Sequence, residues 1–129
     1  MGWAGKILNV LSDYGNMRLY RAMFYVRDLD RMVSFYGETL GLKAIDETRV
    51  DGFVEFDAGG TRLALHAIPR EVADQIEISS PPTPREKCPV KLTFDVELKK
   101  LQELGVTIIE RPWGACDAVD PEGNIFGIK

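Results

Sequence analysis

The chain has 129 residues, enough for one domain with a real core, and its 45% hydrophobic and 28% charged content is globular rather than disordered. A net charge of -4 without a long basic run argues against a nucleic-acid surface, and no apolar run reaches membrane-spanning length. Cys88 and Cys116 alone suggest neither a disulfide framework nor a thiolate metal cluster, so a reducing compartment, the cytoplasm, is expected.

Trp3, Ile7, Leu8 and Leu11 fall at helical spacing before the turn residues Asp13 to Asn16. Residues 1–16 therefore read either as a short amphipathic helix or as an extension of a domain that starts near Met17. Lys6 and Asn9 interrupt the apolar run, so a secretory signal is not expected.

From Tyr20 to Val26 the pattern is that of a strand, with Ala22, Phe24 and Val26 on one face and Arg21, Met23 and Tyr25 on the other. Asp28 suits a helix N-cap, because its carboxylate accepts a backbone N–H of the first turn. Leu29, Met32, Val33, Tyr36 and Leu40 then mark one face of a helix that Gly41 ends. Three strands follow, over Lys43 to Val50, Gly52 to Asp57 and Thr61 to Ile68. Asp57-Ala58-Gly59-Gly60 joins the last two as a hairpin turn.

Five of the seven prolines lie between Pro69 and Pro89, which reads as a linker or lid with a short helix from Arg70 to Gln75. Then the first pattern returns. Lys91 to Val96 forms a strand, Leu98, Leu101 and Leu104 a helix ended by Gly105, and Val106 to Glu110, Gly114 to Val119 and Ile125 to Lys129 three more strands. Asp120 to Asn124 supplies the last turn, and Asp120, Gly123 and Asn124 are expected to serve that turn alone.

The repeat can be counted. Phe24-x-Val26 returns as Phe94-x-Val96 seventy residues on, and Leu40-Gly41-Leu42 as Leu104-Gly105-Val106 sixty-four residues on. The second helix has therefore lost about six residues, more than one and a half turns, and should be short and weakly capped. The expected class is α+β, with two βαβββ modules over 17–68 and 90–129.

Phe24 to Asp30, Ser34-Phe35-Tyr36 and Leu40-Gly41-Leu42 together form the first-module pattern, Ala58 to His66 a fourth-strand pattern, and Trp113-Gly114 and Asp120 to Asn124 a seventh-strand and final-turn pattern. This ordered set resembles the vicinal oxygen chelate (glyoxalase/bleomycin resistance protein/dioxygenase) superfamily over about residues 20 to 129. The resemblance implies that the two modules form a curved mixed sheet around a cavity and, in metal-dependent members, carry ligands on the first and fourth strands of each module. Those four positions fall here on Arg21, Ala64, Lys91 and Gly127, none of them an ordinary divalent-metal ligand. A dication about 5 Å from one fixed positive charge is opposed by about 6 to 7 kcal/mol at an effective dielectric near 20.

The resemblance thus implies a metal-independent small-molecule-binding protein without cofactors, a homodimer, acting by sequestration as bleomycin-resistance proteins do. Arg21 and Lys91 would receive an anionic or oxygen-rich ligand, with Tyr25, Phe53 and Trp113 as stacking walls. Alternatively, Arg21 and Lys91 pair with Glu55, Asp95 or Asp117 and bind nothing. His66, the one histidine, is the candidate general acid or base, a hydrogen-bonded rim residue, or a ligand with Glu55 and Asp95 of a displaced metal. Trp113 is a pocket wall or a core aromatic, and Cys116 a candidate cavity residue. Two other functions stand beside binding: a lyase, epimerase or dioxygenase with a displaced metal or metal-free acid/base site, and a non-catalytic interaction module.

Overall fold

The computed structural model describes residues 17–129. Residues 1–16, read as a short helix or an extension, lie outside these. Among the described residues, no helix is long and apolar enough to cross a membrane.

Strand β1, Arg21–Val26, leads to Asp28, whose carboxylate accepts the Arg31 N–H and caps helix α1, Leu29–Val33. The helix continues over Ser34–Thr39 with a wider, π-helical winding, in which the Leu40 N–H reaches the Phe35 carbonyl five residues back. The expected helix is thus present but not uniformly α. The widened turn holds Tyr36 fully buried and sets Gly37 against the Phe56 ring.

Strand β2 is only Lys43–Ala44, not the expected Lys43 to Val50. The chain leaves the sheet because Asp46–Thr48 turn into a 3₁₀ helix, closed by the Arg49 N–H on the Asp46 carbonyl. Strands β3, Phe53–Asp57, and β4, Arg62–Ala67, form the expected hairpin, with Gly59 at φ 82° and Gly60 at φ 99°. Strand β1 pairs with β4 in parallel, giving the order β1-β4-β3-β2.

The segment after β4 starts with helix α2, Arg70–Ala73, shorter than the expected Arg70 to Gln75. The second module repeats the first: β5 Leu92–Phe94, α3 Leu98–Glu103, β6 Thr107–Glu110, β7 Cys116–Val119 and β8 Ile125–Ile128. Its order is β5-β8-β7-β6, with β5 and β8 parallel. Helix α3 has six residues and no side-chain cap at Glu97, short and weakly capped as expected.

Alternation divides each sheet into a helix-covered face and an open face. Val26, Val54, Phe56, Leu63 and Leu65 pack under Met32 and Tyr36, and Phe94 and Phe126 join this core from the second module. Arg21, Arg62, Glu55 and His66 stand on the open face of the first sheet, as the register Arg21↔Arg62 and Glu55↔Ala64 requires.

The last turn ties the modules together. Asp120 accepts the Tyr36 hydroxyl as well as the Glu122 and Asn124 N–H groups. Both Oε atoms of buried Glu122 accept backbone N–H groups, from Arg27 and Asp28, at 2.8 Å each. Asp120 therefore does more than shape the turn: its second oxygen crosses to the first helix. The linker is fastened here too, through Arg85, whose N–H donates to the Gly123 carbonyl and whose side chain donates to that of Glu122.

Candidate functional site

The open faces bear two ion clusters related by the internal repeat. In the first, Glu55 is 2% exposed and accepts from Arg21 at 3.0 Å and Arg62 at 2.9 Å. In the second, buried Asp117 accepts from Arg111 at 2.8 Å and Lys91 at 3.4 Å. The ladders make the equivalence explicit: Glu55 stands beside Ala64 and Asp117 beside Gly127. A cation at the start of each module's first strand thus meets a carboxylate on its third.

Burial alone raises the Glu55 carboxyl, but hydrogen bonds from Arg21, Thr48 and Arg62 more than offset this and hold it below the usual carboxylate value.

An aromatic strip runs along the first open face. The Tyr25 and His66 rings lie 5.5 Å apart and those of His66 and Phe53 6.0 Å apart. The Arg21 guanidinium then sits 5.5 Å from the Phe53 centroid and 5.8 Å from that of Tyr20, and Arg62 covers Tyr20 at 5.2 Å. Tyr20 and Tyr25 are more than 60% exposed, so the strip is open to a ligand. His66 Nδ1 is 2.9 Å from the Ala67 carbonyl. A carbonyl can only accept, so Nδ1 carries a proton, and among the described residues Nε2 has no hydrogen-bond partner.

Arg21, Tyr25, Phe53, Glu55 and His66 therefore come together. Lys91 and Trp113 meet elsewhere, at a cavity of about 200 Å³ that also includes Val90, Arg111, Asp117 and Ile125. Trp113 is 71% exposed, which excludes the core-aromatic alternative; its ring lies 5.8 Å from the Arg111 guanidinium. Arg21 and Lys91 share no ion-pair partner among the described residues.

Asp95 joins neither cluster. Strand β5 ends at Phe94, so alternation no longer governs Asp95, which lines a helix-side cavity with Leu40, Lys100 and Leu104. Cys116 is also misassigned: being adjacent to Asp117 in β7, it takes the opposite face. Arg62 and Arg111, which sequence reasoning passed over, complete the clusters. Strand parity alone marked Arg62 as an open-face neighbour of Arg21.

Among the described residues, no group of three or more His, Cys, Asp or Glu side chains is placed to hold a metal ion. The carboxylates nearest the expected metal corners, Glu55 and Asp117, are each bound to two cations. The donor set does not suit a dication there.

The family model described as "Glyoxalase/Bleomycin resistance protein/Dioxygenase superfamily" matches residues 18–127. Among solved structures, the chain is similar to a glyoxalase/dioxygenase from Nostoc punctiforme. That pair is 21% identical with a TM-score of 0.64, covering 86% of this chain and 88% of the other. A glyoxalase/bleomycin resistance protein/dioxygenase family enzyme from Burkholderia phytofirmans PsJN is 25% identical, with a TM-score of 0.59 over 87% and 97% of the two chains. A lactoylglutathione lyase from Agrobacterium tumefaciens is 20% identical, with a TM-score of 0.55 over 88% and 92%. No curated protein matches. These likenesses speak for the fold.

Proposed function

Because the chain belongs to the glyoxalase/bleomycin resistance protein/dioxygenase superfamily, we propose that it binds a small anionic or oxygen-rich molecule on the open faces of its modules, without a metal ion. The observation that carries this reading is the exposed strip from Tyr25 through His66 and Phe53 to Arg21, anchored by buried Glu55. Rings that stack on a planar body lie next to a guanidinium whose fork suits a carboxylate or phosphate. Lys91 and Trp113 repeat the combination on the second module. The cation-bound carboxylates support metal independence, since a dication would have to displace Arg21 or Lys91 and then remain beside it.

One observation favours a second reading, as a metal-free acid/base enzyme. The Ala67 carbonyl fixes the His66 tautomer, leaving Nε2 on the open face to take a proton from a bound substrate. A homodimer is part of the proposal: a second copy would cover exposed apolar side chains outside the strip, such as Leu19, Val72 and Leu104. Sedimentation as a monomer at micromolar concentration would contradict that element.

A thermal-shift screen of anionic aromatic compounds in EDTA buffer, with metal analysis of protein purified without chelators, tests the reading. A ligand at a hundred times its Kd should stabilise the fold by about 2.7 kcal/mol. Arg21→Ala with Lys91→Ala should abolish that shift. A stoichiometric transition metal, or a full shift in the double variant, would overturn the proposal.

A further inference from the structure

We infer that the anionic head of the ligand is received by Arg21 and Arg62 together, on the first sheet alone, with Glu55 as a built-in counter-ion that aims both guanidiniums. This deepens the anion-binding reading above and rests on it. The two ion clusters look alike, but their charges do not balance alike. On the second sheet two cations, Lys91 and Arg111, meet two carboxylates, because Arg111 also holds both oxygens of Glu86 at 3.0 and 3.2 Å. Arg85, on the rim of the same cavity, is turned to the Glu122 carbonyl. On the first sheet, two guanidiniums share the single carboxylate of Glu55. The next acid along that face, Asp57, stands on the ladder between Arg62 and Lys43, but its carboxylate accepts the Gly59 N–H and forms no ion pair with either. Among the described residues, Arg21 and Arg62 thus have one ion-paired carboxylate between them.

The asymmetry comes from one position. Arg21 pairs in register with Arg62, whereas in the second module, where the ladder starts at Leu92 beside Phe126, the position that repeats Arg62 is the apolar Ile125. Arg62 is therefore an addition to the repeat rather than a product of it. Each guanidinium gives one terminal nitrogen to Glu55 and makes no hydrogen bond to another described residue, so most of its five N–H donors stay available. Tyr20 lies beside both guanidiniums and Phe53 beside Arg21, which fixes their planes. A carboxylate head in this fork directs a flat body along Phe53 toward His66 and Tyr25. The ligand class is a planar monoanion, an arenecarboxylate.

Benzoate is the probe, with neutral benzamide as its control, titrated calorimetrically into the full chain. Arg62→Gln should weaken benzoate at least tenfold and exceed the loss from Lys91→Gln at least fivefold, while benzamide affinity changes little. Arg62→Lys, which keeps the charge but not the fork, should fall between and covers a failure of Arg62→Gln to fold. A larger loss from Lys91→Gln than from Arg62→Gln would overturn this inference and leave anion binding standing. No saturable benzoate binding to the unaltered chain would overturn both.

Discussion

The Tyr36 hydroxyl donates a 2.7 Å hydrogen bond to Asp120 Oδ2 across the module boundary, and both side chains are fully buried. Burial raises the Asp120 carboxyl above its usual value, although Tyr36, Asn124 and Glu122 all donate to it and pull it down. Tyr36→Phe removes one of these donors and should cost about 1–3 kcal/mol. It also raises the folded Asp120 carboxyl further, which penalises the ionised form. The loss should therefore be largest near neutral pH and shrink as acid protonates Asp120. Urea melts of both proteins at neutral and acid pH read this directly; a pH-independent difference would contradict it.

Glu55 behaves in the opposite sense. Its folded carboxyl lies below the usual 4.5, so its contribution is complete above that value and is lost as pH falls through the folded value. Glu55→Gln removes this linkage and should flatten the acid limb of the stability curve. Parallel pH curves for the two proteins would show that Glu55 is not tied to Arg21 and Arg62.

Glu122 caps the entry to helix α1 from the far module, through the Arg27 and Asp28 N–H groups. Glu122→Ala strands two amides and should cost about 1.5–3 kcal/mol, whereas Glu122→Gln keeps one acceptor and should cost less. Hydrogen exchange should report lost protection at Arg27 and Asp28 in the alanine variant.

A pair of glycines separates backbone conformation from packing. At Gly60, φ 99°, an added methyl group would meet only open space, so Gly60→Ala should cost only ~1–2 kcal/mol for its left-handed backbone. At Gly123, φ 87°, a Cβ would lie 2.3 Å from the Thr83 carbonyl oxygen. Gly123→Ala should cost a further ~1–3 kcal/mol as the linker is pushed off the turn. Equal losses in thermal melts would mean that the linker does not press on Gly123.

Local signals were legible in the sequence because local chemistry decides them. The Asp28 cap, the Gly59-Gly60 turn and the short, uncapped second helix each follow from a few neighbouring residues. Alternation also placed Arg21, Tyr25, Phe53, Glu55 and His66 on one face. Alternation fails where a strand stops, and β2 and β5 stop early: hence the misplaced Asp95 and the unforeseen 3₁₀ turn at Asp46–Thr48. Pairings set by tertiary packing left no local trace. Tyr36 with Asp120 and Arg111 with Glu86 are long-range choices among many equally charged or polar candidates.

Metal-free recognition of an anion is the centre of this account, and benzoate titration with and without EDTA tests it most directly. The same dissociation constant is expected in both buffers, and in protein supplemented with Zn²⁺ or Mn²⁺. Binding that vanishes in EDTA and returns with one equivalent of metal would contradict it.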